Sequence, residues 1–254
     1  MKLLTFRGGI HLGYHKDISI REPVRTGPLP DTVSIPLSQH IGKPAEPVVK
    51  KGDIVEEGQV IGKSASFVSS PVHSSIYGKV KDIAKVFHPA LGPVLSVVIE
   101  RDKDKEPRKY TLRDTGSFSP KDLVGIIRDA GIVGMGGAAF PTHVKLSVPE
   151  GKKIENLVIN GAECEPFLTC DHTVMTRNTE EILKGIELLN RILTPKNIYL
   201  AIENNKKAAI FAFEKAIKKS TDSCISGIKL AAFKTKYPQG GEKQLIKALS
   251  GREV

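Results

Sequence analysis

The chain has 254 residues, 40% of them hydrophobic and 26% charged, with 38 basic side chains against 28 acidic ones and a formal net charge of +10. Three cysteines, Cys164, Cys170 and Cys224, exclude a disulfide framework and a four-cysteine iron–sulfur cluster held within the chain. No apolar run approaches the ~20 residues of a membrane-spanning helix, the start holds no secretory apolar stretch, and 6% aromatics without Trp make a poor stacking platform for nucleic acid.

Residues 1–115 are rich in Pro and Gly and carry short β-type runs. Strands are predicted at 32–36, 48–49, 60–61, 78–83 and 94–99, with turn signals at 52–53, 57–58 and 91–93. The stretches 50–62 and 70–80 resemble the barrel-sandwich hybrid of lipoyl and biotinyl carriers. A true carrier has a modifiable Lys at an exposed hairpin tip. The matching tip here, near His73-Ser74-Ser75, has none, which makes this a docking or structural domain.

The second part, 116–254, opens on a clear helix start. Ser119 can cap, Pro120 suits the first helical position and Asp122 suits the first turn. Leu123, Ile126, Ile127 and Ala130 recur at helical spacing, and Gly131 can end the helix. Strands at 157–160, 197–203 and 228–233 then alternate with helices at 179–193, 206–219 and 242–249. That alternation predicts an α/β fold, a Rossmann-like parallel sheet covered by helices after an all-β barrel-sandwich region. Ligands in such sheets sit at the carboxyl ends of the strands.

The sharpest feature is the run 131–141, Gly-Ile-Val-Gly-Met-Gly-Gly-Ala-Ala-Phe-Pro. Gly134, Gly136, Gly137 and Ala138 leave the backbone bare, so that a flat ring or a phosphate can approach main-chain N–H groups. Taken alone, such a loop is equally a tight turn packed against a helix. It is neither a dinucleotide fingerprint, because a helix precedes it, nor a Walker loop, because no Gly-Lys-Ser/Thr follows. Three neighbours sharpen it. Pro141-Thr142-His143-Val144-Lys145 adds a cation, Asn160-Gly161-Ala162-Glu163-Cys164-Glu165-Pro166 ends a strand in an amide and two carboxylates, and Tyr237-Pro238-Gln239-Gly240-Gly241-Glu242 opens a helix on glycines.

Together these motifs resemble the FMN- and NADH-binding subunit of respiratory complex I. In their wording, and in the start Phe6-Arg7-Gly8-Gly9-Ile10-His11, they are more similar still to the RnfC subunits of the Rnf-type ion-translocating ferredoxin:NAD⁺ oxidoreductases. The resemblance covers the whole chain. It implies that Gly134, Gly136, Gly137 and Ala138 line a flavin, that Lys145 reaches its ring or phosphate side, and that Asn160 bonds the ring edge. It implies that Glu163 and Glu165, the candidate catalytic residues, shape the floor and the nicotinamide approach, and that Gly240, Gly241 and Glu242 lie at the dinucleotide and phosphate end. Ala162 and Lys243 depart from complex I, which carries acids at both places.

The implied cofactors are FMN and NAD(H). [4Fe-4S] clusters are expected only in a further C-terminal region, the chain being a fragment of a longer protein. The implied role is electron transfer in a membrane-associated oxidoreductase complex, on the cytoplasmic side, through partner subunits and with ferredoxin as a further partner; nucleic acid is not expected. The basic excess suits an acidic protein or lipid head groups. The competing expectation is a non-catalytic scaffold with a vestigial flavin pocket. His143 and His172 lack metal-spaced partners, and no metal site is expected.

Overall fold

In a computed structural model that describes residues 3–135 and 138–253, the chain divides into two compact units, residues 26–150 and residues 1–25 with 151–254. After one helical turn, α1 (Asp17–Ile20), come seven strands: β1 (Thr32–Pro36), β2 (Glu46–Pro47), β3 (Ile54–Val55), β4 (Val60–Lys63), β5 (Val72–His73), β6 (Gly78–His88) and β7 (Gly92–Arg101). They form two antiparallel sheets, β1-β7-β6-β3 and β2-β4-β5. Between them lies a core of Ile35, Leu37, Val55, Ile61, Val72, Ile76, Val80, Val97 and Ile99. Gly78 is required where β6 meets β7, because a Cβ there would stand 2.1 Å from the Glu100 carbonyl oxygen.

The same unit continues into α2 (Pro120–Asp129) and α3 (Thr142–Leu146). α2 starts on the expected cap. The Ser119 side chain accepts from the Asp122 N–H, the Asp122 carboxylate accepts from the Ser119 N–H, and Pro120 takes the first turn. It ends at Gly131, left-handed at φ +70°. The boundary expected at 115/116 thus falls inside this unit. The physical reason is contact: the His73 ring nitrogen lies 3.0 Å from the Asp129 carbonyl, and a Cβ on Gly131 would stand 2.7 Å from the Pro71 carbonyl. His73, expected at an exposed hairpin tip, belongs to β5 and packs on α2, and Ser74 is buried.

The other unit is the parallel α/β layer. Strands β8 (Asn156–Gly161), β9 (Asn197–Glu203) and β10 (Lys229–Phe233) pair in parallel in the order β10-β9-β8. Helices α4 (Cys170–Arg177), α5 (Thr179–Leu193), α6 (Lys207–Lys219), α7 (Ser223–Ser226) and α8 (Glu242–Ser250) connect or follow them. Leu183 and Ile186 of α5 and Ala209 and Phe213 of α6 bury against Ile198, Leu200 and Ile202, as the helical and strand periods predict. The sequence periods do not show α1, α3, α4, α7, β3 or β5, all too short to establish one, and the strand expected at 48–49 is not formed there: β2 ends at Pro47.

α5 stops at Thr194, left-handed at φ 44°. A β-branched residue is strained there, at about 1–2 kcal/mol. Thr194→Gly is therefore expected to raise stability by about 0.5–1 kcal/mol in urea unfolding; a loss would show that Thr194 makes compensating contacts.

The N-terminal segment belongs to this α/β unit. Leu4 bridges in parallel to Phe233, and Ile10 pairs with Tyr237. The Lys236 ammonium donates to the carbonyls of Phe6 and Gly8 and lies 3.8 Å from the Phe6 ring centroid. Residues 4–10 thus run beside β10 and the glycine turn that follows it.

Candidate functional site

The glycine loop is a closed structure within the barrel-sandwich unit. Val133 bridges to Pro141, the Gly134 N–H donates to Phe140 O at 2.9 Å, and the Thr142 N–H donates to Ile132 O at 3.0 Å. Gly136 and Gly137, singled out from sequence, lie outside the described residues. Ala138 is exposed, Met135 fully so, and Ala139 is left-handed at φ 48°. The loop and the helices that flank it bond to the barrel-sandwich segment: the Ile41 N–H donates to Ala138 O at 3.1 Å, the His73 ring lies 3.0 Å from the Asp129 carbonyl of α2, and His143 Nε2 of α3 lies 3.1 Å from Phe67 O. Lys145 is exposed, its ammonium 6.0 Å from the Phe140 ring centroid. The small side chains on either side of the loop, at Gly134 and Ala138, suit the approach of a flat ring.

In the α/β unit, the other candidate residues gather at the carboxyl ends of the parallel strands. Asn160 lies near the end of β8. Its Nδ2 donates to Gly240 O at 2.9 Å and its Oδ1 accepts from the Ala162 N–H at 3.1 Å. One amide side chain thus ties the loop after β8 to the glycine turn before α8, and retains one N–H and one lone pair. The glycines of that turn are used by the protein itself. A Cβ on Gly240 would stand 2.9 Å from Ala162 O, and one on Gly241 would stand 2.5 Å from Gln244 Oε1. Next to them Gln239 is fully buried, with neither amide atom partnered among the described residues. The N-cap of α8, Gly241, offers no side-chain cap, and Glu242 is exposed in the first turn.

Glu163 and Glu165 part company. Glu163 is buried, and both carboxylate oxygens are engaged. Oε2 lies 3.3 Å from the ammonium groups of both Lys16 and Lys206; Oε1 accepts from the Asp171 N–H at 2.8 Å and from the Cys170 thiol at 3.6 Å. Glu165 is exposed two residues on. The cluster closes through Glu203, the last residue of β9, whose Oε2 accepts from the Glu163 N–H at 3.0 Å and lies 3.8 Å from Lys206. Glu203 Oε1 is buried and unpartnered. Two ammonium groups thus balance two carboxylates out of water. Burial pushes the Glu203 carboxyl above its ordinary range, against Lys206; burial, then Lys16, pushes the Lys206 ammonium below its own.

Lys16, Glu203 and Lys206 complete this cluster without having been expected from the sequence. The signal for the last two is the run Glu203-Asn204-Asn205-Lys206, polar residues closing an apolar strand at the end where α/β ligands bind. Nothing local marks Lys16, 147 residues from its partner.

Glu163, Cys170 and Asp171 are the group among the described residues whose ligand atoms converge, all within 4.8 Å. The two ammonium groups on Glu163 already supply the positive charge that a cation would bring. Cys170 sits among acids. Burial, then Asp171 and Glu163, push its thiol above the ordinary range. Less thiolate at neutral pH means slow alkylation: Cys170 is expected to react with iodoacetamide more slowly than a model thiol at pH ~7, to gain rate past the ordinary thiol pKa of ~8.5, and to speed up in Asp171→Asn. Peptide mass spectrometry reads it; fast modification at neutral pH would contradict the assignment.

Two family models match the chain: the Nuo51 FMN-binding domain over residues 127–254, and the RnfC barrel sandwich hybrid domain over residues 4–104. The C subunit of the proton-translocating ferredoxin:NAD(+) oxidoreductase complex of Clostridium ljungdahlii is 45% identical over 254 residues, covering 99% of this chain and 54% of that protein. The Na(+)-translocating counterpart of Acetobacterium woodii is 45% identical over 255 residues, covering 98% and 56%. The C subunit of the ion-translocating oxidoreductase complex of Rhodobacter capsulatus is 38% identical over 258 residues, covering 100% and 49%. The chain spans about half the length of the curated relatives it matches. Among solved structures, an air-oxidized NAD+-reducing [NiFe]-hydrogenase superposes with a TM-score of 0.47 at 25% identity, over 53% of this chain and 24% of that one.

Proposed function

Because the chain belongs to the Nuo51-type FMN-binding family in its RnfC form, we propose that it is an electron-transfer subunit of a ferredoxin:NAD⁺ oxidoreductase complex that exchanges electrons between NAD(H) and FMN. The strand-end assembly of the α/β unit carries this reading. There Asn160 joins the loop after β8 to the glycine turn, Glu165 stands exposed, and the Gln239 amide is buried without partners.

Each unit by itself carries groups that suit a flavin or a dinucleotide, the glycine loop with Lys145 in the one and Asn160 with the start of α8 in the other. The cradle is bare backbone at Gly134 and Ala138, with Gly136 and Gly137 taken from the family motif, and Lys145 supplies a cation for the ring or phosphate side. Asn160 keeps an N–H and a lone pair for a ring edge. The start of α8 at Gly240, Gly241 and Glu242, a helix of 9 residues, is assigned the dinucleotide and phosphate end by the family motif and by its positive helix terminus, the Gly241 N–H itself donating to Pro238 O at 2.9 Å. When bound, FMN supplies the exchange between a two-electron hydride carrier and one-electron iron–sulfur carriers. Glu165 is assigned the nicotinamide approach, and Glu163, buried between the Lys16 and Lys206 ammonium groups, anchors the loop. The onward [4Fe-4S] clusters are assigned to residues outside these 254, since three cysteines are too few for a Cys₄ site.

Among the described residues no helix is long and apolar enough to cross a membrane. We assign the chain to the cytoplasmic face of the membrane complex, held by partner subunits, with acidic ferredoxin as a partner for its +10 charge.

The test is FMN titration of the purified chain by fluorescence quenching. Saturable binding at micromolar FMN or tighter supports the reading. No binding by a chain shown to be folded would favour a scaffold subunit with a vestigial pocket.

A further inference from the structure

The N-terminal segment delivers a buried ammonium to the loop that carries Glu165. Lys16 Nζ donates to the carbonyls of Glu163 and Glu165, each at 2.9 Å, and of Leu168 at 2.7 Å, and it pairs with Glu163 Oε2 at 3.3 Å. An ammonium has three protons, so the three carbonyls use all of them, and the carboxylate balances the charge. A lysine is suited to this: a compact point charge with rotatable donors can gather carbonyls that a planar guanidinium cannot.

The loop so gathered is strained. Phe167 is left-handed at φ 66° and half its surface is exposed, so no core packing forces that shape. The segment before and within α1 supplies the restraint. The Phe167 N–H donates to Tyr14 O at 2.8 Å, Ser19 Oγ donates to Phe167 O at 2.8 Å, and the His15 ring stacks on Phe167 at 5.1 Å. A bulky residue held left-handed costs about 1–3 kcal/mol and persists only where its surroundings over-determine it. Here those restraints come from residues 14–19, and the loop they hold exposes Glu165.

We propose that Lys16 is a positioning residue, whose ammonium gathers the carbonyls of Glu163, Glu165 and Leu168 and so aims the exposed Glu165 carboxylate at the bound dinucleotide. The inference rests on the functional reading above for the identity of that ligand. The ammonium itself touches no ligand; it acts through the backbone of residues 163–168.

The experiment compares wild type, Lys16→Met, Glu165→Gln and the double variant. Amide hydrogen exchange in the cofactor-free chain reads the loop, and calorimetric titrations read NADH and FMN separately. Lys16→Met is expected to speed exchange at Phe167 about 100-fold with the strands unchanged. It is expected to weaken NADH about tenfold, the scale of a lost hydrogen bond to a charged group, with FMN affinity held within about twofold. In the Glu165→Gln background it should weaken NADH no further, because both changes remove the same interaction. Unchanged exchange, unchanged NADH affinity, or losses that simply multiply would each overturn the proposal.

Lys16→Met leaves Glu163 with one counter-ion fewer. If it does not fold, Lys16→Arg keeps the charge, and Ser19→Ala removes the hydroxyl that bonds the Phe167 carbonyl. Both are expected to shift exchange and NADH affinity the same way, by about threefold or more, and wild-type values in both would overturn the proposal. A wild type that takes NADH but no FMN would sink the functional reading while leaving the Lys16 comparison readable. A wild type that takes both FMN and NADH, with exchange and NADH affinity unmoved by Lys16→Met, would overturn this inference alone.

Discussion

Lys206→Met is expected to destabilise the α/β unit by about 3–5 kcal/mol, the cost of removing one partner from a buried ion group. Lys206 is almost wholly buried, and its ammonium lies 3.3 Å from Glu163 and 3.8 Å from Glu203. Removing it leaves Lys16 alone against two carboxylates, one of which already has an unpartnered oxygen. Glu203→Gln in the same chain restores the balance of one ammonium and one carboxylate, and should recover most of the loss. Urea midpoints of the two single variants and the double variant measure the coupling. Additive losses would mean that the four groups do not act as one cluster.

The pH dependence follows from the same cluster. Glu203 is raised in the folded state, so the stability tied to its proton is fully present below the ordinary carboxylate range and is lost as pH rises through the folded value. Lys206 is lowered, so its neutral form is favoured by folding; that contribution is absent at low pH and returns as pH climbs through the folded value toward the ordinary amine range. Between those ranges neither contribution is present, and Lys206→Met should cost most there, because it takes the counter-charge from the Glu203 carboxylate.

Ala138→Trp is expected to weaken FMN binding by roughly 100-fold or more, about 2.7 kcal/mol, while leaving thermal stability unchanged. Ala138 is exposed, so the indole meets no core, and its carbonyl bond from Ile41 needs no side chain. The bulk would stand over the bare backbone that the ring must approach. Flavin titration beside a thermal melt separates the two effects. Wild-type affinity in the variant would place the flavin somewhere other than this loop.

Much of the fold is legible in the sequence because it rests on period. The run Ile198-Tyr199-Leu200-Ala201-Ile202 reads as a strand buried on both faces, α5 shows its apolar stripe at Ile182, Leu183 and Ile186, and Ser119-Pro120-Lys121-Asp122 spells its own cap. α4 is not legible, since among its eight residues only Met175 is buried. Nor is the compact unit that joins the glycine loop to the barrel-sandwich, because that union depends on His73, Ile41 and Phe67 meeting a segment far along the chain. The candidate site is marked in the sequence by small or turn-forming residues, at Gly134, Ala138, Asn160 and Gly240. It is opaque where charge is buried. Lys and Glu read as solvated surface until tertiary contacts bring them together, so Lys16 carries no local mark, Glu203 and Lys206 are marked only by the polar run that closes β9, and Glu163 looks no different from the exposed Glu165.

The decisive measurement mixes the FMN-loaded chain with NADH under anaerobic conditions and follows the flavin's visible absorbance. Rapid bleaching is expected, saturating with NADH and falling in Glu165→Gln. A chain that holds FMN stoichiometrically yet keeps its absorbance in excess NADH would contradict electron exchange between nicotinamide and flavin on these residues.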